Sequence, residues 1–321
     1  MTALLFERDE VDEVDDWQSR VVRLGRSSIL WIDLERPDEE ELRSLFEALE
    51  LSTESRQRLE SPDAGRPQAA DFVSYVHVTV LAPSRRDHTT ELVRIDCLVS
   101  RRWIVTMRDG PVAMLDDFRD RACGSGDVGR LDGLEFLANL LDWMLNGYLA
   151  AFEDLERALE EFDVRAMKGR LDGTDAELNR LVELRRDVGE LRRALTSHRE
   201  MFLALRRPEL EDIVSSDSAE RFESLASRLE NVVQAARDSR DSLLGSFDVL
   251  IARTEQRTNE IVKVLTLGSM LLLPGTLVAG ILGMNFKVGL FDHPAYFWVV
   301  IALIGGAAIA TLAAARSRRW I

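Results

Sequence analysis

The sequence predicts an α+β membrane protein: an N-terminal α/β domain, a long helical stalk and two C-terminal transmembrane helices. Three observations carry that prediction. The last 58 residues hold two uncharged runs, 264–286 of 23 residues and 294–315 of 22 residues, and a helix needs about 20 such residues to span ~30 Å of hydrocarbon. Residues 130–263 carry one proline, Pro208, among dense Glu, Arg, Leu and Ala, which are strong helix formers. Residues 1–125 instead alternate β-rich runs with short helical ones.

Within residues 1–125, the run 28–34 (SILWIDL) reads as a strand. Pro37 opens a helix over 38–51, with Leu42, Leu45, Phe46 and Leu49 at helical spacing. Residues 72–81 alternate apolar and small polar side chains. Residues 91–99 and 103–107 are two more strands, separated by Ser100-Arg101-Arg102 as a turn. Residues 113–122 form a short helix. A compact sheet covered by helices follows. It has no phosphate-binding glycine loop and no nucleophile with a plausible base, so the reading is not an enzyme. The N-terminus, MTALLFERDEVDEVDD, lacks the basic and apolar regions of a signal peptide. Residues 1–263 are therefore expected to stay on the side where they are made.

In the stalk, 126–263, helices are expected over 131–168, 175–205 and 218–262. Gly169 and Gly173 break the first from the second, and Pro208 ends the second. Nothing breaks the third from the first span, and about 60 helical residues would run ~90 Å. The run 153–163 (EDLERALEEFD) is either a solvated helix face or a cation-attracting collar.

The net charge of the chain is -15. Nearly all of the acid lies before residue 264, which argues against nucleic acid as a partner. The only cysteines are Cys97 and Cys123, with no CxxC, so neither a zinc knuckle nor a disulfide framework is expected. His77, His88, His198 and His293 are far apart and read as structural or solvated. Lys263 precedes the first span and Arg316, Arg318 and Arg319 follow the second. Basic residues mark cytoplasmic ends, so both termini, including the tail 316–321, are placed in the cytoplasm. The loop 287–293 then lies outside an inner (plasma) membrane, with Lys287 against the rule.

Stepping alternately by three and four from Asn259 gives Val262, Thr266, Ser269, Leu273, Thr276, Gly280 and Gly283. This stripe is small or hydroxylated at five positions. It either lets two helices approach closely or lines a pore, where apolar rings gate and polar rings bind ions. Leu267, Leu271, Leu272, Leu277, Val278 and Ile281 occupy other faces, suited to lipid or a neighbouring helix. Pro274 interrupts the span.

The stretch NEIVKVLT (259–266), then Pro274, then GILGMNF (280–286) resembles the CorA family of divalent-cation channels. The Gly283-Met284-Asn285 signature, a short loop, a second span and a basic tail follow in the family's order. Trp31-Ile-Asp-Leu34 and Ile104-Val-Thr106 resemble it more weakly. The resemblance implies a funnel-shaped homopentamer in which five first spans line the pore. Gly283, Met284 and Asn285 would form the selectivity ring. Neutral amides of Asn285 would hold a hydrated ion through its waters, because Mg²⁺ dehydrates reluctantly. Asn259, Val262, Leu265, Thr266, Leu273 and Thr276 match the family's pore lining and constriction, with Leu265 off the stripe by one residue. Two departures stand out. Lys287 follows the signature closely where the family often carries acids, and Asp292 is the loop's one acid. Counting back from the signature, the family's regulatory acid falls at Ser224, which points to Glu223 beside it.

The implied activity is influx of a divalent cation, Mg²⁺ first and then Co²⁺ or Ni²⁺, with no cofactor. Two alternatives stay open: a ZntB-like zinc transporter, proton-coupled or not, and a membrane-anchored scaffold or sensor without transport.

Overall fold

In the computed structural model, residues 1–7, 10–25, 28–61, 65–86, 89–124, 128–168, 174–206, 216–284 and 295–317 are described; at 86, 89, 130, 174, 175, 216–219, 282, 296 and 297 only the backbone is. The chain divides into two compact units, Met1–Arg165 with Arg170–Ser246, and Ala166–Gly169 with Phe247–Ile321.

The first unit is built on a sheet of β1 (Thr2–Glu7), β2 (Glu10–Glu13), β3 (Ser28–Glu35), β4 (Gln68–Phe72), β5 (Tyr75–Arg86), β6 (Thr89–Val99) and β7 (Trp103–Arg108). The order across it is β2-β1-β3-β7-β6-β5-β4. Every pairing is antiparallel except β3 with β7 at its centre. Helices α1 (Trp17–Val21), α2 (Glu39–Ala48) and α3 (Thr53–Glu60) precede β4. Helices α4 (Ala113–Gly124), α5 (Gly133–Met167), α6 (Thr174–Ala204), α7 (Ser216–Leu282) and α8 (Ala295–Ser317) follow β7.

The run SILWIDL is uninterrupted because both of its faces are buried. Leu30, Ile32 and Leu34 join Leu5, Leu98, Val105, Trp17 and Leu45 in one core. On the other face Trp31 meets Phe118 of α4 and Phe136 of α5 edge to face, with centroids 5.8 and 5.3 Å apart. α7 joins this helical side through the buried Phe222, Leu225, Leu229 and Val232, and Arg228 bonds both Asn146 and Asp142 of α5.

The structure sharpens several expectations. The run 72–81 is not one strand: it holds the end of β4, a turn at Val73-Ser74 and the start of β5. α2 stops at Ala48, short of residue 51, because Glu50 takes a left-handed backbone with φ 49°. Asp38 caps its start in a full capping box with Glu41. The N-terminal residues form the β1–β2 hairpin and α1, which the sequence reading passed over, as it did α3. Helix α7 runs unbroken through Pro274.

In the second unit, α7 and α8 are each long and apolar enough to cross a membrane. A Cβ on Gly275 would sit 3.4 Å from Ile304 Cγ2, so α7 and α8 touch there. Leu267, Leu271, Pro274, Gly275 and Val278 are half-buried on that side of α7. Arg253 of α7 donates to the carbonyl of Met167 at 2.5 Å, capping the end of α5.

Candidate functional site

From Asn259 to Gly280 the stripe lies on one continuous helix, and Gly283 and Met284 follow its last residue, Leu282. Asn259, Val262, Leu265, Ser269, Leu273, Thr276, Gly280, Gly283 and Met284 are exposed; Thr266 is half-buried. Leu265, Leu273 and Met284 keep 69, 66 and 54 % of their surface open, an unusual state for apolar groups unless lipid or another chain covers them. An open groove of about 1040 Å³ runs along this face of α7 and takes in Leu265, Ser269, Leu273, Thr276, Gly280 and Met284. It also takes in Leu272, Leu277 and Ile281, which periodicity assigned to another face, and not Thr266. The exposed face is therefore turned slightly from the predicted stripe. Asn285, Lys287 and Asp292 lie outside the described residues.

The hydroxyls of the predicted stripe are satisfied within their own helix. Thr266 Oγ1 donates to Val262 O at 2.7 Å, Ser269 Oγ to Leu265 O at 2.9 Å and Thr276 Oγ1 to Leu272 O at 2.8 Å. Each hydrogen is spent on the helix, so the oxygen lone pairs remain as acceptors for whatever lies beside the helix.

Glu223 does not stand free. Its Oε1 accepts from Arg206 Nη2 at 3.2 Å, and its side chain is 69 % exposed. Among the described residues no three Asp, Glu, His or Cys side chains gather where they could hold a metal ion. The acidic run 153–163 is partly neutralised: Asp154 pairs with Arg85 and Arg157, and Glu156 accepts from Ser239.

Two buried polar clusters sit in the sheet, and the sequence reading found neither. In the first, Trp31 Nε1 donates to Thr106 Oγ1 at 3.0 Å and Thr106 donates to Asp33 Oδ1 at 2.6 Å. Arg108 Nη2 lies 3.1 Å from both Asp33 Oδ2 and Asp116 Oδ1. Burial pushes the Asp33 carboxyl above its ordinary value, against the Thr106 bond and the Arg108 charge. The two weaker matches, Trp31–Leu34 and Ile104–Thr106, are thus one structure, joined by the register Asp33↔Thr106.

The second cluster places a serine beside a histidine, a pairing that sequence spacing does not show. Ser55 Oγ lies 2.8 Å from His77 Nδ1, and His77 Nε2 lies 3.1 Å from Asp96 Oδ1. That is the order of a serine relay. Ser55 is wholly buried, however, and Asp96 also accepts from Thr79 at 2.7 Å. Arg94 Nη2 sits 2.7 Å from Asp96 Oδ2, an ion pair at an angle poor for a hydrogen bond. No substrate carbonyl could reach Ser55, so the cluster ties α3 to the sheet. His77 and His198 are both structural; His88 and His293 lie outside the described residues.

The family model described as "CorA-like Mg2+ transporter protein" matches residues 26–315. The chain belongs to this family. The cobalt/magnesium transport protein CorA of Thermotoga maritima is 22 % identical over 264 residues, covering 80 % of this chain and 73 % of that protein. The divalent cation transporter CmaX of Pseudomonas aeruginosa is 26 % identical over 236 residues, 72 % of this chain and 68 % of its own. The complete structure of the CorA magnesium transporter from Methanocaldococcus jannaschii superposes with a TM-score of 0.80 at 20 % identity, covering 100 % of this chain and 99 % of that one. The CorA fold therefore spans the whole chain, and the family is one of transporters rather than enzymes.

Proposed function

We propose that the chain forms a homopentameric channel that admits a divalent cation, Mg²⁺ before Co²⁺ or Ni²⁺. Five copies of residues 264–286 would surround the pore, and 294–315 would form the outer ring. The observation that carries this reading is the open groove on α7, which reaches Met284, the residue before Asn285 in the sequence. A membrane anchor has no need of a groove that mixes leucines with back-bonded hydroxyls. Five such faces turned inward would give apolar rings at Leu265 and Leu273 and acceptor rings at Ser269 and Thr276, with Val262 and Thr266 at their margin. Those acceptors suit the water hydrogens of a hydrated ion. Gly283, Met284 and Asn285 would form the outer ring that selects it.

In this reading residues 1–125 and 126–263 form a cytoplasmic funnel, 287–293 faces outward, and the protein sits in the inner membrane with both termini inside. Flow would follow the inside-negative potential, worth ~2.3 kcal/mol per charge per 100 mV. For Glu223 to sense metal it must leave Arg206 and find further ligands on another subunit. If saturating Mg²⁺ protects Glu223→Ala from protease as well as wild type, Glu223 has no such role.

The test is uptake into proteoliposomes under an inside-negative potential, read with a Mg²⁺ dye and a Zn²⁺ dye in parallel. Mg²⁺ uptake that disappears in Asn285→Ala supports the channel and its outer ring. Zn²⁺ uptake alone, enhanced by a proton gradient, moves the protein to the zinc branch. Neither ion entering through well-folded protein would leave the scaffold reading.

A further inference from the structure

β4 stops short. Its register with β5 runs from Phe72↔Tyr75 to Gln68↔Thr79, while β6 follows β5 to Arg86. Past Thr79, one edge of β5 has no strand beside it among the described residues. A buried backbone edge cannot be left unpaired without cost. At Leu81 two helices supply the missing partners. Leu81 N donates to His198 Nε2 of α6 at 3.1 Å, and Tyr148 Oη of α5 donates to Leu81 O at 2.8 Å. The Tyr148 and His198 rings meet edge to face, 5.9 Å between centroids. Both side chains are wholly buried.

This geometry fixes the state of His198. Its Nε2 accepts, so the proton sits on Nδ1 and is donated to Ala194 O at 2.7 Å. A protonated ring has no lone pair for Leu81. It would orphan that N–H and place a charge in a wholly buried position. α5 presents Tyr148, held neutral by burial. β5 presents the Leu81 backbone, while its His77 is bound to Ser55 and Asp96 and its Arg85 to Asp154. Arg199, next along α6, is engaged with Glu230 of α7. β6 turns Arg94 and Asp96 towards His77 and α3, and Asp71 of β4 is exposed.

We propose that His198, Leu81 and Tyr148 form an acid-operated latch that holds α5 and α6 against the open edge of the sheet. With neutral His198 it is shut; protonation opens it locally and bares β5 around Leu81. Burial lowers the His198 imidazole to about 4, outweighing the upward pull of its bond to Ala194. Freed, it would titrate near 6.5. A lowered folded value means full stability above 6.5 and progressive loss as pH falls to about 4. Opening is thus favoured about tenfold per pH unit across that window, ~300-fold in all.

Hydrogen exchange of the full chain in detergent micelles, corrected for the chemical rate at each pH, reads this directly. Between pH 7.5 and 4.5, peptides covering 79–83 should gain exchange roughly 70-fold relative to peptides from β3. His198→Gln keeps an acceptor for Leu81 without a titrating group and should abolish that gain. An equal gain in His198→Gln, or peptides 79–83 that merely follow β3 in wild type, overturns the latch. If His198→Gln does not fold, Tyr148→Phe takes its place. It should raise exchange at 79–83 by the same factor at both pH values and keep the acid-dependent gain. No change at 79–83 in that variant overturns the proposal as well.

Discussion

Replacing Arg108 by Met tests the energetics of the central polar cluster. Arg108 and Asp33 keep only 6 and 7 % of their side-chain surface. Without Arg108, the Asp33 carboxylate keeps the Thr106 hydroxyl and the charge of Arg119. Breaking a buried ion pair from one side costs about 3–5 kcal/mol. Part is returned, because Arg108 Nε and Nη1 are themselves buried without hydrogen-bond partners among the described residues, and losing an unsatisfied polar group recovers about 1 kcal/mol. The expected loss at pH 7 is therefore about 2–4 kcal/mol. It should shrink towards acid pH. Asp33 already has a raised folded value, and removing Arg108 raises it further. Its penalty belongs to the charged form and fades as pH falls through that value. Asp33→Asn with Arg108→Met removes both charges and should return to within about 1 kcal/mol of wild type. Urea unfolding of the full chain in micelles, followed by near-ultraviolet circular dichroism at pH 7 and pH 5, measures all three. A double variant as unstable as Arg108→Met would refute the electrostatic account and leave lost packing around the guanidinium as the cause.

Gly133 is the point where α5 leaves the sheet. A Cβ there would lie 1.9 Å from the Ser100 carbonyl oxygen, which is backbone and cannot swing aside; Gly133→Ala should cost at least 1–3 kcal/mol in the same urea titration. Cys97 is buried and its thiol is pushed well above the ordinary range by burial, whereas Cys123 is exposed. A maleimide mass shift should therefore report one label per folded chain, at Cys123, and two after denaturation; a second rapid label in the folded state would contradict the packing of β6.

Elements whose pattern is self-sufficient were readable from sequence. The two spans announce themselves by length without charge. β3 is marked by a run that tolerates no solvent on either face. Elements that exist by virtue of a partner were not. β2 reads Glu-Val-Asp-Glu, a poor strand by composition, and is one only because β1 lies beside it, from Leu4↔Glu13 to Glu7↔Glu10. The turn at Val73-Ser74 hid inside an alternating run because it holds no Gly, Pro, Asn or Asp, and a lone Ser fits the alternation as a small polar strand residue. Of the candidate site, the spacing of hydroxyls along α7 was visible, and the family resemblance supplied Asn285. The small rotation of the exposed face was not visible, since it depends on which side Ile304 covers. Ser55, His77 and Asp96 are separated by 22 and 19 residues, and no periodicity links positions that only the sheet register brings together.

The parallel pair at the centre of the sheet also sets an order of events during synthesis. β3 cannot be flanked by β7 until residue 108 has been made, so Trp31 and Asp33 wait for Thr106 with their polar atoms unpaired. From there to the first span is roughly 150 further residues, about 8–30 s of elongation at 5–20 residues per second. The sheet thus has time to close before any segment that belongs in lipid is made. A substitution that slows the meeting of β3 and β7 would leave a half-built sheet still waiting when the hydrophobic helices emerge. Such a variant would be lost to aggregation or degradation during biogenesis, even if the finished protein were stable.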